Sequence, residues 1–234
     1  MRCRDQPSLR LGLRERKKLL TRQAILDTAR TMFEQHGYDN VTVSEIADAV
    51  NISAKTVFVY FPSKEDLVFD SDDEVCEVLL NRIRDRPAGE TPLDAMADAV
   101  RVMMSESDSP PVAELDRMHR MVGTSLTLQS RWRLMWEKFE RSMAEALASE
   151  LGEHPHAPRP SILAAQLILL LRSMASEQFV GYLRAHDEPN QLAAAADWLD
   201  VSLELIGGGI GEFARRPAAP ASTAADAGSV GSRG

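Results

Sequence analysis

One short stretch near the N-terminus contains residues that start and end helices at such close spacing that it allows two short helices and a tight turn between them. Thr42 and Glu45 have the spacing of a capping box, in which each side chain accepts the backbone N–H of the other residue. Asn51 tolerates left-handed backbone and is placed to end that helix. Ser53 can cap the second helix, and Pro62 ends it because the residue before a proline is pushed out of helical backbone.

Helical periodicity extends over the rest of the chain. Apolar residues recur at helical intervals, and no stretch bounded by turns alternates with the period of two that a half-buried strand needs, so we predict an all-α protein. One face of a short first helix holds Ile25, Ala29, Met32, Phe33 and His36. Gly37 then supplies a left-handed stop. Further helices are predicted over residues 63–86, 91–107, 113–122, 126–151, 161–186 and 189–206.

Charge is distributed unevenly along the chain. A net charge of -8 disfavours contact with a polyanion when it is spread evenly. Residues 1–30, however, carry nine basic and three acidic side chains, so the acidity belongs to the remainder. The basic arm, residues 1–19, therefore either follows a polyanion or is a solvated tail, and the charge run alone favours neither.

Several functional classes have no support in the sequence. Cys3 and Cys76 are too few and too far apart for a disulfide framework or a CxxC zinc site, which fits a reducing cytoplasm. The apolar run 162–171 falls well short of the roughly 18 residues that span a bilayer. His154 and His156 have no further metal ligands nearby, and neither GxSxG nor HExxH is present. We therefore expect no membrane helix, metal, cofactor or enzymatic activity.

The helix after the tight turn, beginning at Ala54, directs six side chains away from the apolar pair Val57 and Phe61, which is the geometry of a recognition helix. The stretch TVSEIADAVNISAKTVFVYFPSKEDL resembles the DNA-binding domain of TetR-family regulators. The resemblance implies a three-helix helix-turn-helix domain over residues 20–79 and a helical-bundle domain over 80–214 that binds a ligand and dimerises. Residues 215–234 are rich in Ala, Pro, Gly and Ser, and we predict that they are disordered.

The resemblance also implies a set of DNA contacts. The positions are Thr42, Val43, Ala54, Lys55, Thr56, Phe58, Val59, Tyr60 and Lys64. The threonines and Lys64 fall where the family contacts phosphate, which fixes register rather than sequence. Val43, Ala54, Lys55 and Val59 fall where side chains face base edges. Because only Lys55 of these four donates hydrogen bonds, we expect contact with thymine methyl groups to carry much of the remaining readout.

Three positions depart from the family pattern. Asn51 replaces the usual turn glycine, and Lys55 replaces a frequent glycine. Phe58 replaces a tyrosine whose hydroxyl commonly reaches phosphate, so one expected contact is missing. Tyr60 and the basic arm remain to compensate for it.

Large, adaptable side chains in the C-terminal half are candidates for an effector pocket, although each of them can equally be ordinary core. They are Met118, Met121, Trp132, Met135, Trp136, Phe139 and Met174. Arg172 joins them because it interrupts a helix that we expect to be buried, and a buried guanidinium needs a partner. That partner is either an internal carboxylate such as Glu177 or an anionic ligand. The C-terminal half has some resemblance to the subgroup that accepts acyl-CoA-like molecules.

The sequence therefore predicts a homodimeric repressor that a small apolar or amphipathic effector, anionic in one alternative, releases from a partly palindromic DNA operator. The alternative is a DNA-binding adaptor without ligand, whose C-terminal domain only dimerises or contacts proteins. The last two predicted helices have more apolar surface than one small domain readily covers. We expect them to form the dimer interface through Leu163, Leu167, Leu170, Leu199, Leu203 and Ile206.

Overall fold

The structure, a computed structural model, describes residues 12–106 and 111–208, and these residues form helices without any strand. The all-α prediction is confirmed. The helices are α1 (Leu13–His36), α2 (Val43–Ala49), α3 (Ala54–Tyr60), α4 (Asp72–Arg84), α5 (Pro92–Glu106), α6 (Pro111–Thr124), α7 (Leu126–Leu151), α8 (Pro158–Met174), α9 (Glu177–Arg184) and α10 (Gln191–Gly208). Most of the basic arm, the break at 107–110 and the tail at 215–234 lie outside the described residues.

The capping residues predicted around α2 and α3 act as expected. Thr42 Oγ1 accepts the backbone N–H of Glu45 at 3.2 Å, and the Glu45 carboxylate accepts that of Thr42 at 2.7 Å. Asn51 has φ 56°, a left-handed conformation that redirects the chain. Ser53 Oγ accepts the N–H of Thr56 at 3.1 Å and starts α3. The sequence prediction of two short helices and a tight turn is confirmed.

The first helix differs from the prediction. It is long, because α1 has 24 residues and includes the described part of the basic arm. His36 is exposed rather than buried beside Phe33, since only one side of the last turn faces the core. Gly37 ends the helix with φ 81° and ψ 147°, so its positive φ leads into extended rather than left-handed helical backbone.

The predicted helix from residue 63 to residue 86 was wrong at its start. Ser63 and Asp66 do exchange hydrogen bonds, but they cap only a 3-10 turn over Glu65–Leu67. The chain then bends so that Phe69 enters the core, where it is 5% exposed, and α4 begins at Asp72. Burial of an aromatic side chain therefore takes precedence over continuation of the helix.

The C-terminal helices match the prediction except at one break. The bounds of α7 and the capped start of α5 at Thr91 are confirmed. The predicted helix 161–186 is divided into α8 and α9, because Ser176 Oγ accepts the N–H of Phe179 at 3.1 Å and starts a new helix. None of the described helices combines the length and the hydropathy of a membrane span.

Two large apolar clusters organise the molecule. The N-terminal core consists of buried side chains from α1 to α3 and the turns around them, and it also includes Leu128 of α7, which is fully buried. The C-terminal core joins α4, α5, α7, α8 and α10. Because Leu128 lies in the N-terminal core, the N-terminal helices are packed directly against the C-terminal bundle.

The expected dimer interface requires a correction. Leu167, Leu170 and Leu199 are 3%, 0% and 0% exposed, so they belong to the core of the protomer. The other expected interface residues, Leu163, Leu203 and Ile206, are partly buried against the same core. Both helices are apolar on several sides, and the residues predicted from their periodicity lie on the side that faces the core of the protomer. The exposed apolar residues are Ile162 and Leu169 on α8 and Leu192, Val201 and Leu205 on α10.

Candidate nucleic-acid interface

The exposed face of α3 combines one cation with two large apolar side chains. Val57 and Phe61 are 1% and 2% exposed and fix the helix on the N-terminal core. On the opposite side Lys55 is exposed, Phe58 is 48% exposed and Val59 is 74% exposed. The orientation is that of a recognition helix, with an inner face fixed on the core and an outer face that is exposed to solvent.

The other predicted contact positions surround this face. Thr42 is exposed, whereas Val43, Ala54, Thr56 and Tyr60 are half-buried. Both threonine hydroxyls already form hydrogen bonds within their caps, Thr42 with Glu45 at 2.8 Å and Thr56 with Ser53 at 2.8 Å. Because a hydroxyl has one hydrogen to donate, Thr42 would have to give up its bond to Glu45 to donate to phosphate, whereas Thr56 can donate to phosphate if Ser53 donates to it.

Lys64 is the candidate cation that is most enclosed by the protein. Its ammonium donates to the backbone carbonyl of Tyr38 and lies 3.9 Å from the centroid of the Tyr38 ring. Burial lowers the pKa of Lys64, and Asp39, Glu65 and Glu45 oppose that shift. Lys64 does not begin the fourth helix, as the sequence predicted, but lies before the 3-10 turn. Contact with phosphate would draw the ammonium out from the Tyr38 ring.

The aromatic effector candidates form a ladder along α7 rather than the wall of one described cavity. Trp132 and Trp136 have ring centroids 6.0 Å apart, and Trp136 and Phe139 5.9 Å apart, both edge to face. Trp136 and Phe139, together with Met135, are buried in the C-terminal core. At the other end, Trp132 packs edge to face on Phe69, with centroids 5.9 Å apart. The ladder therefore connects the C-terminal core to the turn that follows the DNA-binding helices.

The methionine candidates are divided between two places. Met118 and Met121 line a crevice of about 70 Å³ with Phe33 and Leu67, at the junction of α6 with the DNA-binding helices. Met121 also lines a crevice of about 620 Å³ between the end of α1 and α6. Met174 is partly buried at the end of α8, between two apolar clusters.

The prediction that Arg172 is buried was wrong. Its side chain is exposed, and it lies three residues after Leu169 on the outward stripe of α8. Glu177, the internal partner considered for it, is exposed as well. Apolar residues lie on both sides of α8 around Arg172, since Leu170 faces inward and Leu169 outward. The sequence therefore does not indicate which side of the helix faces the core. Arg172 therefore has no need of a buried counter-charge within the protomer.

Sequence reasoning missed the polar contacts that join α6 and α7 to the DNA-binding helices. Ser125 Oγ donates to Asp39 Oδ1 at 2.8 Å, across 86 residues of sequence. Arg117 Nε on α6 lies 2.9 Å from Glu34 Oε1 on α1. Arg131 on α7 contacts carboxylates on both sides of the turn before α4. Only the position of Ser125, at the start of α7, was a recognisable sequence signal.

Comparison with known proteins bears on both halves of the chain. Residues 25–70 match the family described as bacterial regulatory proteins, tetR family. The transcriptional regulator TcmR of Streptomyces glaucescens is 30% identical over 202 residues, which are 82% of this chain and 88% of TcmR. RutR of Escherichia coli is 27% identical over 118 residues, which are 50% of this chain and 56% of RutR.

Two solved structures share the fold. NalD of Pseudomonas aeruginosa, named as the secondary repressor of the MexAB-OprM multidrug efflux pump, aligns with a TM-score of 0.51 and 19% identity over 81% of this chain and 96% of NalD. The complex of SmeT with triclosan aligns with a TM-score of 0.50 and 19% identity over 79% of this chain and 90% of SmeT. At these identities the likeness concerns the fold alone.

Proposed function

The chain belongs to the TetR family of bacterial regulatory proteins, and from that membership we propose that it is a homodimeric repressor released from a partly palindromic operator by a small molecule. Its general activity is DNA-dependent regulation of transcription. The repressor role has support from NalD, which its title names as a repressor. The response to an effector has support from SmeT, which was solved with triclosan.

The observation that carries the proposal is the outer face of α3. Phe58 and Val59 are large apolar side chains that stay exposed beside Lys55 on a helix whose inner side is fixed by Val57 and Phe61. Apolar side chains in the major groove contact thymine methyl groups, and a lysine there donates to guanine O6 or N7. The three exposed side chains therefore fit a major groove that presents both thymine and guanine.

The start of α1 supplies a second contact for the same surface. Arg14, Arg16, Lys17 and Lys18 are exposed on its first two turns. Within the described residues this helix continues into the anchored part of α1, so the four cations are held on a rigid rod rather than a flexible tail. We infer that they neutralise phosphates beside the site read by α3 and strengthen binding to any sequence.

Dimerisation follows from the short reach of α3. One helix of seven residues reads too few base pairs for specificity, so two copies must read two half-sites about 34 Å apart. The exposed stripes of α8 and α10, with Ile162, Leu169, Val201 and Leu205, offer apolar surface for the second copy. An effector that changes the packing of α6 and α7 would change the distance between the two α3 helices.

The proposed effector contacts are the large apolar side chains predicted from the sequence, without Arg172, whose exposed side chain needs no buried partner. We propose that the ligand enters beside the aromatic ladder and displaces the partly buried Trp132 or Met174, while Met118 and Met121 transmit the change at the α6 junction. An adaptor without ligand would keep this ladder as plain core. Release of operator DNA by an added apolar compound distinguishes the two.

Selection of genomic DNA fragments by the full-length protein tests the proposal. We expect enrichment of a short element with two inverted half-sites whose centres are about one helical turn apart. The matched control is the same protein with Lys55→Ala and Val59→Ala, which removes the proposed base contacts from an exposed surface. No enrichment, or equal enrichment by the control protein, would contradict the proposal.

A further inference from the structure

Arg131 lies at the joint between the two halves of the molecule. Its Nη1 atom is 3.5 Å from Asp72 Oδ2, at the first residue of α4, and its Nη2 atom is 3.8 Å from Asp66 Oδ1, in the 3-10 turn after α3. The guanidinium also lies 5.5 Å from the centroid of Phe69, which is between them in sequence. Arg131, Asp66, Phe69 and Asp72 are called the Arg131 joint here.

The joint spans the only stretch of chain that connects the DNA-binding helices to α4. Asp66 and Asp72 lie on either side of the bend at residues 68–71, and Arg131 contacts both of them from α7. One cation on the C-terminal bundle therefore ties both ends of the bend. Loosening either contact weakens one of the links between the helix-turn-helix and the bundle, beside the buried Leu128 and the hydrogen bond from Ser125 to Asp39.

Charge in the joint is poorly balanced. The carboxylate of Asp72 is repelled by three neighbouring carboxylates, which are those of Asp66, Asp70 and Asp73. Arg22 of α1 pairs with Asp70 at 3.0 Å, and Lys138 of α7 pairs with Asp73. Among the residues that the structure describes, Arg131 is the cation that pairs with Asp72.

Asp72 is the most enclosed carboxylate of this group. Its side chain is only 13% exposed, and its Oδ2 atom is buried and accepts no hydrogen bond from the described part of the chain. Burial raises the pKa of Asp72 to about 6, Arg131 opposes the shift, and the neighbouring aspartates increase it. The charge of Oδ2 is therefore compensated by the Arg131 guanidinium rather than by a hydrogen bond, and a proton on the carboxylate removes that charge.

We propose that the Arg131 joint couples protonation to DNA binding. Protonation of Asp72 releases α4 from Arg131 and lowers the affinity of the protein for operator DNA. The inference rests on the proposed DNA-binding function. A solvent proton binds the Asp72 carboxylate, and the neutral acid attracts a guanidinium far less than the anion does. Arg131 then retains Asp66, while the bend before α4 gains freedom. A less rigid joint costs affinity, because the recognition helices must be ordered on binding.

The first arm of the test needs no DNA. The pKa of Asp72 in the folded protein is above its usual value of 3.8, so its ionisation penalises the folded state. The penalty is absent below about pH 4 and complete above about pH 6. Melting temperatures of wild type and Asp72→Asn should therefore agree best at the acid end and separate as the pH rises to 7.5, with the variant more stable. A separation that does not change with pH would overturn the proposal whether or not the protein binds DNA.

The second arm measures affinity for a duplex recovered in the genomic selection, between pH 5 and pH 7.5. Asp72→Asn should bind at least about fivefold more weakly than wild type at pH 7.5 and equally at pH 5. The control is Glu137→Gln on α7, where the side chain is 62% exposed, and its ratio to wild type should not depend on pH. His119→Gln is a second control, because the His119 ring lies 6.0 Å from that of Trp132, in the same part of the molecule. An Asp72→Asn ratio that stays constant over this range overturns the coupling, whereas failure of wild type to bind any duplex overturns the proposed function instead.

Discussion

At the scale of single residues, we propose that Lys55 carries the sequence-specific hydrogen bonding of α3. It is exposed, and the other three positions proposed to face base edges are Val43, Ala54 and Val59, which have no side-chain donor. Specificity by hydrogen bonding at those positions therefore depends on one side chain per half-site. A lysine in place of the frequent family glycine also implies an operator that differs from those of relatives with glycine there.

We predict that Lys55→Ala weakens operator binding by about 1 to 3 kcal/mol and relaxes the base preference at one position in each half-site. Competition among duplexes that differ at single positions measures both effects. Arg133→Ala is the control, because Arg133 is 71% exposed on α7 and its ion pair is a loose one with Glu137. Unchanged preference at every position would remove Lys55 from base readout.

Lys64 has two roles to separate, since it packs on Tyr38 in the free protein and is proposed to contact phosphate in the complex. If it contacts phosphate, Lys64→Ala should weaken all sequences similarly and reduce the slope of log K against log salt by about 0.9 per half-site. Titration of binding between low and moderate salt measures the slope. Weaker binding with an unchanged slope would assign Lys64 to support of Tyr38 alone.

At the scale of helices, Leu128 shows that the two halves of the chain share a core. It belongs to α7 but is fully buried in the same apolar cluster as Val57 and Phe61, the two side chains that fix α3 on the core. Truncation of this side chain leaves a cavity that the surrounding helices fill only in part. The damage should reach α3 through these two anchors.

We predict that Leu128→Ala lowers the free energy of unfolding by about 3 to 5 kcal/mol, measured by denaturant titration. It should also weaken operator binding at temperatures where the variant is still folded. Leu134→Ala on the same helix is the control, because Leu134 is 55% exposed, and it should change stability by less than about 0.5 kcal/mol. Equal effects of the two substitutions would show that Leu128 is not a shared core residue.

Much of the secondary structure was predictable because interactions between residues close in sequence determine it. Thr42 with Glu45, Asn51 and Ser53 determine α2 and α3 through hydrogen bonds and backbone preferences within a few residues. The break at Ser176 was missed because apolar periodicity continues across it and hides the cap.

Which side of each C-terminal helix faces the core was not predictable in the same way. Leu169 and Leu170 are adjacent and chemically identical, yet one is 54% and the other 0% exposed. The prediction that Arg172 is buried failed for the same reason. Contacts such as Ser125 with Asp39 depend on distant parts of the chain, so no local pattern announces them.

At the scale of the whole molecule, we propose that the outward stripes of α8 and α10 form the dimer interface. We predict that Leu169→Glu combined with Val201→Glu gives a folded monomer, because both side chains are exposed in the protomer and lose only contacts to a second copy. Sedimentation analysis measures the mass, and Leu134→Glu is the control on another exposed face. Leu170→Glu should instead unfold the protein, because that side chain is 0% exposed. A double variant that remains a dimer would place the interface elsewhere.

The most direct test of the account is the number of chains on one operator and the positions that they protect. Sedimentation of the full-length protein with a selected duplex gives the stoichiometry, and chemical footprinting on the same duplex gives the protected bases. We predict two chains per duplex and two inverted protected segments, about 34 Å apart on one face of the DNA. The Leu169→Glu, Val201→Glu protein should lose this pattern while keeping its helical content. One chain per duplex, or protection without inverted symmetry, would contradict the central claim that this protein reads DNA as a symmetric dimer through α3.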